Sequence, residues 1–113
     1  MTIDDYFSTG PPHERPVFEA VMAHFADVGP VFVEPVSVGI FLKRARTFSE
    51  LRPMQRWVAV SFSLPRKVRH PLIIRKPMEY GGAYYHVANV GDTDELDDEL
   101  LGWLTEAYHR CPE

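Results

Sequence analysis

Ten of the chain's twelve lysines and arginines fall between residues 43 and 76: Lys43, Arg44, Arg46, Arg52, Arg56, Arg66, Lys67, Arg69, Arg75 and Lys76. One acid, Glu50, interrupts them. Clustered cations of this kind grip carboxylates and phosphates, and the planar fork of arginine can do so at two points at once. The flanks have the opposite sign. Residues 1–42 carry a net −5 and residues 77–113 a net −8, so the overall charge of −4 hides a middle third of +9. Such segregation bears on partners and on the shape of the field rather than on fold.

The five histidines, His13, His24, His70, His86 and His109, are the next groups that could do chemistry. No two form a His-x-x-x-His pair and no Cys–His spacing suits zinc, so no metal site is expected. His24 and His109 fall near expected helix ends, where contact with the helix dipole accounts for them. Nucleophilic catalysis has little support. There is no Gly-x-Ser-x-Gly elbow, and Ser61 and Ser63 sit mid-strand. Gly81-Gly82 lacks both the spacing of a phosphate loop and a following helix. The run Asp97-Asp98-Glu99 reads as the solvated start of a helix. Cys111, the one cysteine, lies on an apolar stripe and more readily packs than reacts. It excludes an internal disulfide framework, and a reducing cytoplasm is the expected compartment. No cofactor is implied.

These residues need elements to position them. A chain of 113 residues with 45% hydrophobic and 25% charged side chains suits one small globular domain. No apolar run approaches the length of a membrane span, and the acidic start Met1-Thr2-Ile3-Asp4-Asp5 does not read as a secretory signal. Residues 1–12 read as a loose lead-in to a single domain over 13–113. From His13 to about Val28 the apolar spacing of Val17, Val21 and Phe25 predicts a helix, stopped by Gly29-Pro30 through a left-handed glycine exit. Strands are predicted over 31–36, 38–43, 47–51 and 57–64, then over 72–75 and 83–90 around a turn containing Gly81-Gly82. Pro65 to Pro71 is a basic loop. Residues 94–109 form a closing helix whose stripe includes Leu96, Leu100, Trp103, Leu104 and Tyr108. The fold class is therefore α+β: a mainly antiparallel sheet of five or six strands with an N-terminal and a C-terminal helix on one face.

Alternation in the strand over 57–64 decides what the other face offers. If Val58, Val60, Phe62 and Leu64 meet the helices, then Trp57, Ala59, Ser61 and Ser63 point away. Phe41 and Lys43 share that outward parity, joined by either Tyr84 and His86 or Tyr85 and Val87. The result is an open face of aromatics, small residues and cations. It suits an anionic ligand or a second copy of the domain. The same face suits stacking of a nucleic acid, which the pI of about 5.7 disfavours although a local basic patch can still bind one.

The order of the pieces resembles a bacterial family of uncharacterised domains, domain of unknown function 5655, over about residues 13–110. The likeness rests on the helix ending in Gly29-Pro30-Val31, the basic strand Phe41-Leu42-Lys43-Arg44-Ala45-Arg46-Thr47-Phe48, and Ser61-Phe62-Ser63-Leu64-Pro65-Arg66. It continues in Tyr85-His86-Val87, Leu96-Asp97-Asp98-Glu99 and Trp103-Leu104-Thr105-Glu106-Ala107-Tyr108. The resemblance implies a binding or accessory part and carries no assigned activity. It adds the basic stretch and His86 as site candidates. The leading expectation is a non-catalytic module that binds a small anionic ligand or an acidic partner. The candidate contacts are Lys43, Arg44, Arg46, Trp57, Arg66, Lys67, Arg69, His70, Arg75 and His86. Two readings stand beside it: a small enzyme acting on an anionic substrate with His86 or His70 as acid–base, and a homodimerising accessory domain without a ligand. No membrane partner is expected.

Overall fold

In the computed structural model, which describes residues 2–110, one six-stranded sheet carries the molecule. Two short hairpins begin it: β1 (Phe32–Val36), β2 (Gly39–Lys43), β3 (Thr47–Pro53) and β4 (Val58–Leu64). Then come β5 (Met78–Tyr80) and β6 (Ala83–Val90), in the spatial order β1-β2-β3-β4-β6-β5. Every pairing is antiparallel. Helices α1 (Ile3–Phe7), α2 (Glu14–Phe25) and α3 (Asp98–Arg110) complete the chain. The α+β class and its two covering helices agree with the sequence.

One face of the sheet makes the core. Ile40, Leu42, Leu51, Val58, Val60, Phe62, Leu64, Ala88 and Val90 are buried against Val17, Val21 and Phe25 of α2 and Leu100, Leu104 and Tyr108 of α3. The period-2 pattern of β4 and the 3.6-residue pattern of both helices drive this, because each lines up one apolar surface that must leave water. Trp103, on the same stripe, is only half-buried and stacks on Phe62 with ring centroids 5.8 Å apart.

The structure corrects several local expectations. Residues 3–7 are not loose: α1 is closed by a capping box between Thr2 and Asp5, and the Tyr6 hydroxyl donates to the buried Glu14 carboxylate. Helix α2 ends at Phe25 rather than Val28, and Gly29 is not left-handed. Its reason lies elsewhere. A Cβ there would collide with the Tyr108 hydroxyl, which donates to the Pro30 carbonyl at 3.0 Å. Residues 72–75 are not a strand. Bracketed by Pro71 and Pro77, they run as a loop beside β6, with only the Leu72 carbonyl accepting from the Asn89 N–H at 3.0 Å. The strand partner of β6 is β5, across Gly81 and Gly82, both at positive φ as a two-residue hairpin turn requires. The closing helix is broken. A 3-10 turn over Thr93–Glu95, capped by Asp92, precedes α3. Asp97 restarts the helix by accepting from the Leu100 N–H at 2.9 Å. Cys111, expected to pack on this stripe, lies outside the described residues.

Candidate functional site

The basic segment folds into two parts with different fates. Its first cations are bound to the molecule's own groups. Lys43, on the open face, pairs with Glu34 of β1 at 2.7 Å. Arg44 lies 4.5 Å over the Tyr108 ring and donates to the Tyr108 carbonyl at 3.3 Å, satisfying the end of α3. Arg46 borders a hollow with Arg110 and Ser63 at the far end of the sheet. Arg66 grips Glu106 of α3 with both ends of its fork, at 2.7 and 3.0 Å. That grip holds the Glu106 carboxyl below its usual range. Lys67 sits 5.5 Å over the Tyr84 ring. Trp57, expected to open the strand on its outward side, lies in the bend before β4 and is 38% exposed.

The loop that follows is pinned to the body at alternate residues. His86 does not join the open face: it points under the helices, 1% exposed, and stacks on Phe62 at 5.2 Å. Tyr85 and Val87 take the outward positions instead. His86 Nε2 accepts from the Val68 N–H at 3.1 Å, so the neutral ring carries its proton on Nδ1. Nδ1 is buried without a well-formed partner. Burial pushes the His86 pKa down, and the nearby Arg66 charge adds to this. His70 faces α3. Its Nδ1 accepts from the Leu72 N–H at 3.1 Å, which leaves Nε2–H to donate to Asp97 at 2.7 Å. That bond, with the Leu100 N–H, holds the Asp97 carboxyl below its usual range. Both candidate histidines therefore hold the loop in place, and their ring nitrogens are turned towards the protein.

What the pins leave outward is a cationic hollow. Its wall runs from Val68 to Pro77 and borders a shallow, open space of about 590 Å³. Arg69, Arg75 and Lys76 line it and make no ion pair or side-chain hydrogen bond among the described residues. Ile74, 78% exposed, stands on its rim. Arg75 also reaches a second hollow on the open face, so the two adjoin.

Cross-strand register builds that face. Phe41 lies opposite Glu50, Glu50 opposite Ser61, and Ser61 opposite Val87. Ala59 and Ser61 are small enough to be buried at the bottom, while Phe41 and Tyr85 stand as walls. Ser61 Oγ accepts from the Glu50 N–H at 2.9 Å and fixes the backbone there. Sequence reasoning did not place Glu50 and Arg52 in this groove. Strand parity relative to Phe41 is the signal that could have found them. A bulge at Phe48 hides it by shifting the register between Leu42 and Lys43.

Two further histidines, His13 and His24, are structural. His13 Nε2–H donates to the Met54 and Trp57 carbonyls at 3.0 and 3.2 Å, and His24 Nε2–H donates to the Thr105 hydroxyl at 2.6 Å. Among the described residues no group of three or more His, Cys, Asp or Glu is placed to hold a metal ion. No helix there is long and apolar enough to cross a membrane.

The fold and the groove define a small α+β domain with one helix-covered face and one open face flanked by a basic loop. The chain belongs to the family described as Domain of unknown function (DUF5655), whose model matches residues 3–110. No curated protein and no solved structure matches it.

Proposed function

We propose that the domain is a non-catalytic binding module that takes a small anionic ligand in the hollow of the 68–77 loop. One observation carries this reading. Arg69, Arg75 and Lys76 share a wall whose lining holds no carboxylate and make no ion pair among the described residues, while Arg66, Val68, His70 and Leu72 of the same stretch are tied down. Unpaired cations on a restrained backbone lose little conformational freedom when an anion arrives. A catalytic reading has less support. The histidine with the displaced pKa, His86, lies beneath α3, and His70 has both ring nitrogens engaged.

Thermal unfolding at low salt tests the proposal. Inorganic phosphate, a nucleoside triphosphate and citrate should each be compared with chloride. A ligand of the folded state raises Tm by mass action. The expected result is a rise with at least one anion, shrinking as salt increases. The triple variant R69A/R75A/K76A should lose it while keeping the ligand-free Tm. If no anion raises Tm, or the variant responds like the parent, the hollow is a solvated surface.

A further inference from the structure

On the open face, beside the basic hollow, opposite charges share a space without touching. Glu50, Arg52 and Arg75 all line a hollow of about 90 Å³ whose floor is Ala59 and Ser61 and whose wall is Tyr85. The Glu50 carboxylate makes no ion pair or side-chain hydrogen bond among the described residues, and neither guanidinium does. An adjoining hollow of about 160 Å³ shares Glu50, Ser61 and Tyr85 and adds Phe41. A carboxylate and a guanidinium side by side would ordinarily pair if both could turn towards each other. Arg52 follows Glu50 by two residues along β3, whereas Arg75 and Glu50 sit on separate supports. Glu50 belongs to β3, its backbone fixed by Ser61, and Arg75 comes from the loop that Pro71 and Pro77 bracket.

We infer that this groove takes a zwitterion: a small molecule with a primary ammonium group joined by a short chain to a phosphate or carboxylate. The ammonium sits at Glu50 between the rings of Phe41 and Tyr85, where the carboxylate neutralises it and the ring faces attract it. The anionic end lies at Arg75 and reaches towards Arg69 and Lys76. The small side chains of Ala59, Ser61 and Ser63 leave room for the linking chain. A purely anionic ligand uses only the second half of this arrangement and meets repulsion from Glu50 at the first. The inference rests on the anion-binding reading and names the ligand class for the same site.

Calorimetric titration with phosphoethanolamine, inorganic phosphate and ethanolamine, each into the whole domain at low salt, tests it. Phosphoethanolamine should bind about tenfold more tightly than phosphate, as one added charge-assisted contact provides. Glu50→Gln should bring the two ligands to equal affinity without abolishing phosphate binding, and Arg75→Ala should weaken both. Circular dichroism of each variant checks that the fold is kept. Phosphate binding with no preference for phosphoethanolamine overturns the zwitterion and leaves the anion site standing. So does a preference that survives Glu50→Gln. If neither phosphate nor phosphoethanolamine binds, both readings fall together. Sedimentation with phosphatidylethanolamine vesicles then tells a lipid-borne headgroup from a free ligand: pelleting assigns the zwitterion to a membrane surface, and failure to pellet assigns it to a soluble molecule.

Discussion

The two faces of the sheet are built from the same strands and do opposite things. On β4, Val58, Val60, Phe62 and Leu64 point to the helices and are sealed from water. Between them, Ala59, Ser61 and Ser63 point the other way and leave a groove floor. Polar groups on the covered face are spent on structure: His86 on Val68, His24 on Thr105, Tyr108 on Pro30. On the open face Glu50, Arg52 and Arg75, and in the adjoining loop Arg69 and Lys76, make no ion pair or side-chain hydrogen bond among the described residues. Charge count alone could not make this division. Lys43, Arg44 and Arg66 come from the same basic run, yet they lock the edges of the molecule together.

If the faces divide this way, changes on one should move stability and changes on the other should move binding. Leu104 is fully buried where α3 meets the sheet. Leu104→Ala should cost about 2–5 kcal/mol in urea unfolding, with phosphate affinity of the still-folded fraction unchanged. A loss below about half a kcal/mol, outside the range for buried leucines, would mean that α3 is not docked as described.

Tyr6→Phe should follow in size. It removes the hydroxyl that donates to the Glu14 carboxylate, which is 2% exposed, and leaves a buried charge short of a donor. A loss of about 1–3 kcal/mol is expected near neutral pH. Burial pushes the Glu14 pKa up, so the charged form is the one disfavoured by folding. The loss should therefore shrink as pH falls through the carboxylate range and Glu14 is neutralised. A loss that is the same at acid and neutral pH would show that the charge is not the cause.

His86 gives a smaller, pH-shaped effect. Its pKa is depressed on folding, so the unfolded chain takes up the proton first as pH falls. The stability that neutral His86 contributes is present above its ordinary pKa of about 6.5 and is lost as pH drops below it. Protonation would also place an N–H where Val68 needs an acceptor, loosening the loop. Unfolding free energies should fall from near neutrality towards mildly acid pH, and His86→Gln should flatten that slope. An unchanged slope in the variant would assign it to another group.

The smallest expected effect belongs to Arg66 and Glu106, an exposed bidentate pair. A double-mutant cycle should give a weakly favourable coupling that fades as salt rises. A coupling indifferent to salt would contradict the assignment of Arg66 to this surface tie.

Much of the covered face was legible in the sequence, because burial imposes periodicity. Val17, Val21 and Phe25 mark α2 by their spacing, and the alternation over 58–64 orients β4. The strand over 72–75 was misplaced because Leu72-Ile73-Ile74 is apolar and holds two β-branched isoleucines, while the prolines at 71 and 77 bracket it as a loop. The role of Gly29 was misread because the Tyr108 ring that presses on it is distant in sequence. The open face was legible only in part. Outward Phe41, Lys43, Ala59 and Ser61 follow from parity. The bulge at Phe48 conceals Glu50, and the inward turn of His86 depends on β4–β6 register. Which cations are spent is a tertiary fact: nothing local separates Arg66, which meets Glu106 forty residues on, from Arg69, which makes no ion pair or side-chain hydrogen bond among the described residues.

The most direct test of this division is an amide NMR titration of the whole domain with inorganic phosphate at low salt. The account predicts shifts confined to residues 68–77 and to Glu50, Ser61 and Tyr85 of the adjoining groove, with Lys43, Arg44 and Arg66 unmoved. Shifts centred on Lys43, Arg44 and Arg66, or none anywhere in the basic segment, would contradict it.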